Sequence, residues 1–359
     1  MALKSEDVGP KAAALIVEPN PNGHRLTYVS LLVDRCISQG REVRVMTSPA
    51  AIGSAQWAVH LGEKSVQVIT KPLDNFTLDG IARVAAQTDA SLTIVPDGDG
   101  FLIPALRKGW EAPGTLSMLV MRADEQAKKP WLRHTQGIAK KMLVLAVGFR
   151  SNVRVCALRS PLVKRRGFIR WAADPVNLSA TPERVREMRN RLEGYGKHYW
   201  IGVFGSITPR KNLPLIIQAI LDQPDVGLVI GGSIDPDVSA AIAPLLDEFS
   251  AAGGRVLKLP GTLTEVEFDS AISAVDCIVV AHTNEGPSGI VLKAVAAGRR
   301  LILAGAKSLK RDAAHLREQA VWSELDAKAL AQSICQAKIS SDPIVAVHLE
   351  NDNIVSALT

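Results

Sequence analysis

Aromatic residues make up only 4% of the 359-residue sequence, and no nucleic-acid-recognition module accompanies them. A nucleic-acid partner is therefore not expected. The four cysteines, Cys36, Cys156, Cys277 and Cys335, never fall at C-x-x-C spacing, which excludes a zinc ribbon or a dithiol redox motif. Three of them sit in apolar surroundings such as SAVDCIVV and read as small core residues of a protein in a reducing cytoplasm. The longest apolar run, Met142–Phe149, spans 8 residues, well short of the ~20 that a membrane helix needs. The opening MALKSEDVGP has no apolar segment or cleavage site, so no secretory signal is expected. After the first apolar run stands PNPNGH rather than G-x-G-x-x-G, which argues against a nicotinamide dehydrogenase. No His/Asp cluster has metal-ligand spacing, so neither metal nor cofactor is expected. Internal repeats and low-complexity tracts are missing too.

What is present is an ordinary globular composition, 47% hydrophobic and 22% charged. A chain of this length suggests two domains. Charge is unevenly shared. Of the 42 Lys+Arg and 36 Asp+Glu, residues 1–180 hold 24 and 15, leaving 18 and 21 for residues 181–359. Most of the asymmetry lies in residues 126–173, which carry 12 Lys+Arg and no acid. After Pro130, the residues Trp131, Leu132, Ile138, Met142, Leu143 and Leu145 approximate one helical stripe beside Lys140 and Lys141. Two readings stand: a core-packed helix with a solvated basic face, or a basic amphipathic segment on an anionic membrane surface.

Strands alternate with helices throughout. AAALIV (12–17) precedes a turn-rich EPNPNG and an amphipathic helix over Arg25–Ser38, with strand candidates at 41–47, 65–70, 91–96 and 115–121. A second series begins at WIGVFG (200–205) and continues with strands at 226–232, 255–261, 276–281 and 300–305 and helices between them. The charged helix TPERVREMRNRLEGYG (181–196) separates the two. This alternation predicts an α/β fold of two doubly wound, Rossmann-like domains facing across a cleft, divided as 1–180 and 181–340. Ligands of such sheets bind at the carboxyl ends of the strands.

Three loops carry candidate chemistry. In EGPSGIVLKAVAAG (285–298), Gly286 allows close backbone approach, and Ser288, Gly289 and Ile290 offer N–H groups at a helix start. The joint is either a phosphate-receiving helix terminus or a tight turn capped by Ser288. In FGSITPRKNLPLIIQAI (204–220), Arg210 and Lys211 follow the strand that ends at Gly205. They suit a diphosphate, or they are a solvated surface pair. In PDGDG (96–100), Asp97 or Asp99 would orient an acceptor hydroxyl or act as base, unless the string is a plain turn.

Taken in order, these motifs resemble the retaining GT-B glycosyltransferases of the sucrose-synthase/mannosyltransferase type (glycosyl transferases group 1). Gly205 and Lys211-Asn212 fit the family's G-x-x-x-x-x-K-G/N loop, and GTLTEVEF (261–268) fits its base-facing loop, with Thr262 and Leu263 beside the nucleobase. The E-x7-E signature begins at Glu285, and NGHRLTYVS resembles the first glycine-rich loop, with Gly23 and His24 as acceptor or phosphate contacts. Departures are specific. Lys293 stands where the second Glu belongs, Ser206 where an Arg often follows the glycine, and Arg122 where the donor-facing His is common.

The resemblance implies a glycosyltransferase that moves a sugar from a nucleotide-diphosphate sugar to a glycan, lipid-linked or other hydroxyl acceptor. Retention without metal, in cell-surface polysaccharide or glycoconjugate synthesis, comes with it. Catalytic candidates are Glu285, Asp97, Asp99 and Arg122, and donor-binding candidates are Gly205, Arg210, Lys211, Thr262, Leu263, Gly286, Ser288, Gly289, Ile290 and Lys293. In this family the basic amino-terminal domain binds the acceptor and residues 341–359 cross back to complete it. The expected location is cytoplasmic, peripheral at the inner membrane face through 126–173. The alternatives are a sugar-nucleotide epimerase, a phosphorylase or a non-catalytic nucleotide-sugar-binding protein on the same scaffold.

Overall fold

The computed structural model describes residues 12–21, 25–121, 133–162, 167–259, 261, 263–285, 288–340, 344, 346 and 354–359. The chain divides into two units, one of Met1–Arg159, Arg165–Pro175 and Asp352–Thr359 and another of Ser160–Lys164 and Val176–Asn351.

The first unit is a seven-stranded parallel sheet, with strands β1 (Ala13–Val17), β2 (Glu42–Thr47), β3 (Gln67–Thr70), β4 (Ala90–Val95), β5 (Thr115–Val120), β6 (Val153–Arg159) and β7 (Trp171–Ala173). Their order is β3-β2-β1-β4-β5-β6-β7. The helices are α1 (Arg25–Ser38), α2 (Pro49–Ile52), α3 (Ala55–Leu61), α4 (Leu78–Gln87), α5 (Leu102–Lys108) and α6 (Arg133–Gly148). Both faces are covered, which is why β1 can be apolar at every position. Ala14 and Ile16 point into a core with Leu26, Val29, Leu32, Val33 and Cys36 of α1. Leu15 and Val17 point the other way, among Ile81 and Val84 of α4 and Val144 and Val147 of α6. The carboxyl-terminal helix of the chain, Ile354–Leu358, belongs to this unit, its Ile354 and Leu358 buried beside Cys156 and Leu158 of β6.

The apolar stripe of α6 differs from the expected one. Ile138 and Met142 are exposed, whereas Val144 and Val147 are buried. Apolar residues ring this helix, so a stripe chosen by spacing alone fits more than one face.

The second unit holds a six-stranded parallel sheet, β8 (Tyr199–Phe204), β9 (Val226–Gly231), β10 (Arg255–Lys258), β11 (Cys277–His282), β12 (Arg300–Gly305) and β13 (Ala320–Ser323). The order is β10-β9-β8-β11-β12-β13. Around it lie α7 (Pro182–Glu193), α8 (Leu213–Ile220), α9 (Pro236–Ala251), α10 (Glu265–Ala274), α11 (Gly289–Ala296), α12 (Lys307–Leu316) and α13 (Ala327–Ile339); the carboxyl-terminal helix Ile354–Leu358 is α14. Ile201 and Val203 of β8 pack with α8, α9 and α13, while Trp200 and Phe204 face α10 and α11. Alternate residues of one strand thus feed two cores.

Candidate functional site

In each sheet the chain reverses its direction of growth once, between β1 and β4 in the first and between β8 and β11 in the second. At such a point the flanking loops run to opposite sides and leave a crevice at the strands' carboxyl ends. In the second sheet the two strands share only the pairs Cys277–Ile201 and Ile278–Gly202. Their carboxyl ends therefore lack a mutual ladder, and side chains fill the space.

Lys211 is the chief occupant. Asn212, in left-handed backbone (φ 52°), donates its Nδ2 to the carbonyls of Ala281 (2.7 Å) and Arg210 (3.1 Å). Asparagine tolerates this conformation better than most residues. The latch pins the 209–212 turn to the end of β11 and turns Lys211 inward, where its ammonium donates to the Phe204 carbonyl. Among the described residues no carboxylate pairs with it. Burial, and then the charge of Arg210, lower the Lys211 ammonium to about 8. Arg210 itself is exposed.

Gly205 sits at the meeting point. Its φ of 93° is glycine's own region, and a Cβ there would stand 2.9 Å from Lys211 Nζ and 3.7 Å from Ile290 Cδ1. The end of β8, the lysine and the first turn of α11 are thereby in mutual contact. Ser288 occupies the N-cap position of α11 but its hydroxyl makes no capping hydrogen bond. Compare α10, where Thr264 and Glu267 form a reciprocal capping box. The dipole end of α11 is thus left without the side-chain oxygen that usually satisfies it.

His282, the last residue of β11, is buried, and its Nδ1 has no hydrogen-bond partner among the described residues. Burial, followed by the charge of Lys211, lowers its ring to about 4, so the imidazole is neutral at physiological pH. No sequence signal marked this histidine out; its apolar strand context suggests only a core residue.

Glu285 and Lys293 are both engaged. The Glu285 carboxylate accepts from the backbone N–H of Lys307 (3.0 Å) and Ser308 (2.9 Å). It therefore caps α12, whose own N-cap residue, Ala306, has no side chain to do so. Each oxygen retains acceptor capacity beyond that bond. Lys293 is 12% exposed and pairs with Asp269, which is fully buried, and with Glu265 at 3.2 Å. It also donates to the Asn177 carbonyl (3.2 Å), while Asp269 Oδ2 accepts from Ser179 N (2.8 Å). The lysine thus ties α11, α10 and the 177–179 segment together. Burial raises the Asp269 carboxyl, and Lys293 opposes that rise. Leu263 packs half-buried against the core formed with α10 and α11.

In the first unit, Asp97 forms an ion pair with Arg25 of α1 at 2.5 Å. Asp99 accepts from Met121 N (2.8 Å) and from Lys140 of α6 (2.6 Å). Asp99 thereby anchors α6 to the end of β5. The third member of the Asp97 group is Glu18, buried directly after β1, with Arg25 Nη1 at 3.6 Å. Sequence reasoning missed it because EPNPNG reads as a turn, and its burial depends on residues far along the chain. Gly23, His24, Arg122, Thr262 and Gly286 lie outside the described residues, as do Trp131 and Leu132. Among the described residues no group of three or more metal-ligating side chains occurs, and no helix is long and apolar enough to cross a membrane.

Two α/β domains, each with a parallel sheet wound on both faces, define the GT-B glycosyltransferase fold, and the solved structures similar to this chain carry it. HepE from Anabaena, in complex with UDP and glucose, is similar over 97% of this chain and 95% of its own, with a TM-score of 0.64 at 14% identity. Sucrose-phosphate synthase from Thermosynechococcus elongatus matches over 97% and 95% at a TM-score of 0.64 and 19% identity. WaaG, a glycosyltransferase involved in lipopolysaccharide biosynthesis, matches over 91% of both chains at 0.60 and 14%. No family model matches the sequence, and no curated protein matches it.

Proposed function

We propose that the protein is a glycosyltransferase that takes its sugar from a nucleoside-diphosphate sugar bound at the β8/β11 crevice. One observation carries this reading: a half-buried lysine, without a carboxylate partner among the described residues, meets around Gly205 a helix start whose N-cap serine makes no capping bond. Burying a cation alone is costly, and a diphosphate would relieve that cost while receiving the α11 N–H groups. HepE and its UDP provide the likeness for the donor.

In the reaction, the bond between the anomeric carbon and the diphosphate oxygen breaks with its electron pair leaving on the diphosphate, while the acceptor hydroxyl oxygen bonds to that carbon and its proton passes to the departing diphosphate oxygen. Lys211, Arg210 and the N–H groups of Ser288, Gly289 and Ile290 would meet the growing charge, the kind of preorganised stabilisation that dominates many enzymes. Neutral His282 would add a hydrogen bond without adding charge. Glu285, held by its two backbone bonds, would receive sugar hydroxyls and steady the oxocarbenium-like state. We further propose retention at the anomeric carbon and a glycan or lipid-linked acceptor carried by the amino-terminal unit. Binding at an anionic membrane surface through the basic 126–173 stretch is supported by Ile138, Met142 and Phe149, which are 59%, 61% and 87% exposed.

Release of nucleoside diphosphate from a panel of nucleotide sugars, with product configuration read by NMR, tests the reading. Turnover abolished by Lys211→Ala supports it. Binding without turnover of any donor would instead favour a non-catalytic sugar-nucleotide protein. Sedimentation with vesicles, with and without phosphatidylglycerol at low salt, tests the membrane proposal; equal sedimentation would remove it.

A further inference from the structure

The amino-terminal sheet has its own reversal point, between β1 and β4, and a buried acid stands beside it. Glu18 follows β1 directly and is 1% exposed. Its Oε1 accepts from Asn20 N at 2.9 Å and lies 3.6 Å from Arg25 Nη1. Its Oε2 is buried with no hydrogen-bond partner among the described residues. Buried carboxylate oxygens are nearly always satisfied, so an orphan at a ligand-binding position asks for an explanation. Arg25 reaches from Glu18 to Asp97, whose Oδ2 lies 2.5 Å from Nη2. The arginine and Asp97 are 21% and 23% exposed and form the accessible rim above the buried acid.

The donor set selects the ligand chemistry. An anion would face two carboxylates, and a metal ion would face the guanidinium. A ligand that satisfies both must donate to a carboxylate and accept from an arginine, as neighbouring hydroxyls of a sugar do. We propose that Glu18, Arg25 and Asp97 form a hydroxyl-binding subsite for a sugar, in which Glu18 Oε2 accepts the hydrogen of one hydroxyl and Arg25 donates to its neighbour. That this sugar is the acceptor of transfer rests on the glycosyltransferase reading above; the subsite itself does not. Arg25 and Asp97 are the charged groups that act on Glu18: burial, joined by the Asp97 charge, outweighs the Asn20 N–H bond and Arg25 and pushes its carboxyl up to about 7. A hydroxyl donating to Oε2 favours the ionised form, so occupancy is linked to proton release.

The test uses saturation-transfer NMR on the full-length protein with simple hexoses and methyl hexosides at millimolar concentration. At least one sugar binds, and its binding strengthens between pH 6 and pH 8. Glu18→Gln weakens it by roughly tenfold or more, as loss of a charged hydrogen bond does, and flattens the pH dependence. The proposal is overturned if no sugar binds the unmodified protein, leaving a buried water as the occupant, or if Glu18→Gln binds the same sugar equally well. Should that variant not fold, a flat pH profile of the unmodified protein overturns it alone. UDP calorimetry on the same samples separates the two readings. Sugar binding that depends on Glu18, without UDP binding, removes the donor assignment and leaves the subsite standing.

Discussion

Replacing Lys211 with Met should make the empty protein more stable and the nucleotide-bound protein less so. The ammonium falls from an ordinary value of 10.5 to about 8, and such a difference corresponds to roughly 3 kcal/mol of penalty on the charged form. Methionine fills a similar volume without charge but leaves the Phe204 carbonyl without its donor, a loss of about 1 kcal/mol. The net gain is about 1–2 kcal/mol near neutral pH, a rise in Tm of several degrees for a domain of this size. The sign has a pH signature. The charged-state penalty is present in full below pH 8 and fades as the pH climbs from there towards 10.5, so the variant's advantage should shrink over that range. In the same variant, UDP affinity should fall roughly 10- to 150-fold, the span of one charge-assisted hydrogen bond. Differential scanning fluorimetry with and without UDP reads both effects. A lower Tm together with undiminished stabilisation by UDP would refute the reasoning, because the lysine would then be a structural strut.

Lys293→Met leaves the buried Asp269 without its partner and should cost about 3–5 kcal/mol, measured by urea unfolding; Lys293→Glu should cost more. Gly205→Ala forces a Cβ into left-handed backbone against Lys211 Nζ, and should lose about 1–2 kcal/mol of stability and weaken UDP binding by calorimetry. Glu18, raised from 4.5 to about 7, favours the folded state at low pH, and that contribution is lost as pH rises through 7. His282, lowered from 6.5 to about 4, disfavours it at low pH, and that penalty disappears as pH rises from 4 to 6.5. The two nearly cancel between pH 4.5 and 6.5, each being worth roughly 3 kcal/mol. Glu18→Gln should therefore unmask a stability that climbs with pH across that interval; a flat profile in the variant would deny the histidine its burial.

Local patterning foretells those elements whose partners need not be known. The apolar positions 26, 29, 32, 33 and 36 fix α1, and all five are buried. Strand β6 is harder to see, because VRVCALR lies within the acid-free stretch and its charges draw attention from its alternation. The β8/β11 crevice is legible in outline, since Gly205, Lys211 and Ser288 each sit where a strand gives way to a helix. What each polar group does there depends on residues distant in sequence. Glu285 caps a helix 22 residues on, and Lys293 finds Asp269 24 residues back. Glu18 meets Asp97 only through Arg25. Spacing arguments carry no information about such contacts, so the engaged state of Glu285 and Lys293 and the orphaned oxygen of Glu18 emerge only with the tertiary structure.

Diffraction from crystals soaked in UDP-glucose tests the proposed donor site most directly. The account predicts diphosphate density between Lys211 Nζ and the backbone N–H groups of Gly289 and Ile290, with the hexose toward Glu285. Well-ordered nucleotide bound elsewhere on the protein, with Lys211 still turned onto the Phe204 carbonyl and the α11 terminus vacant, would contradict it.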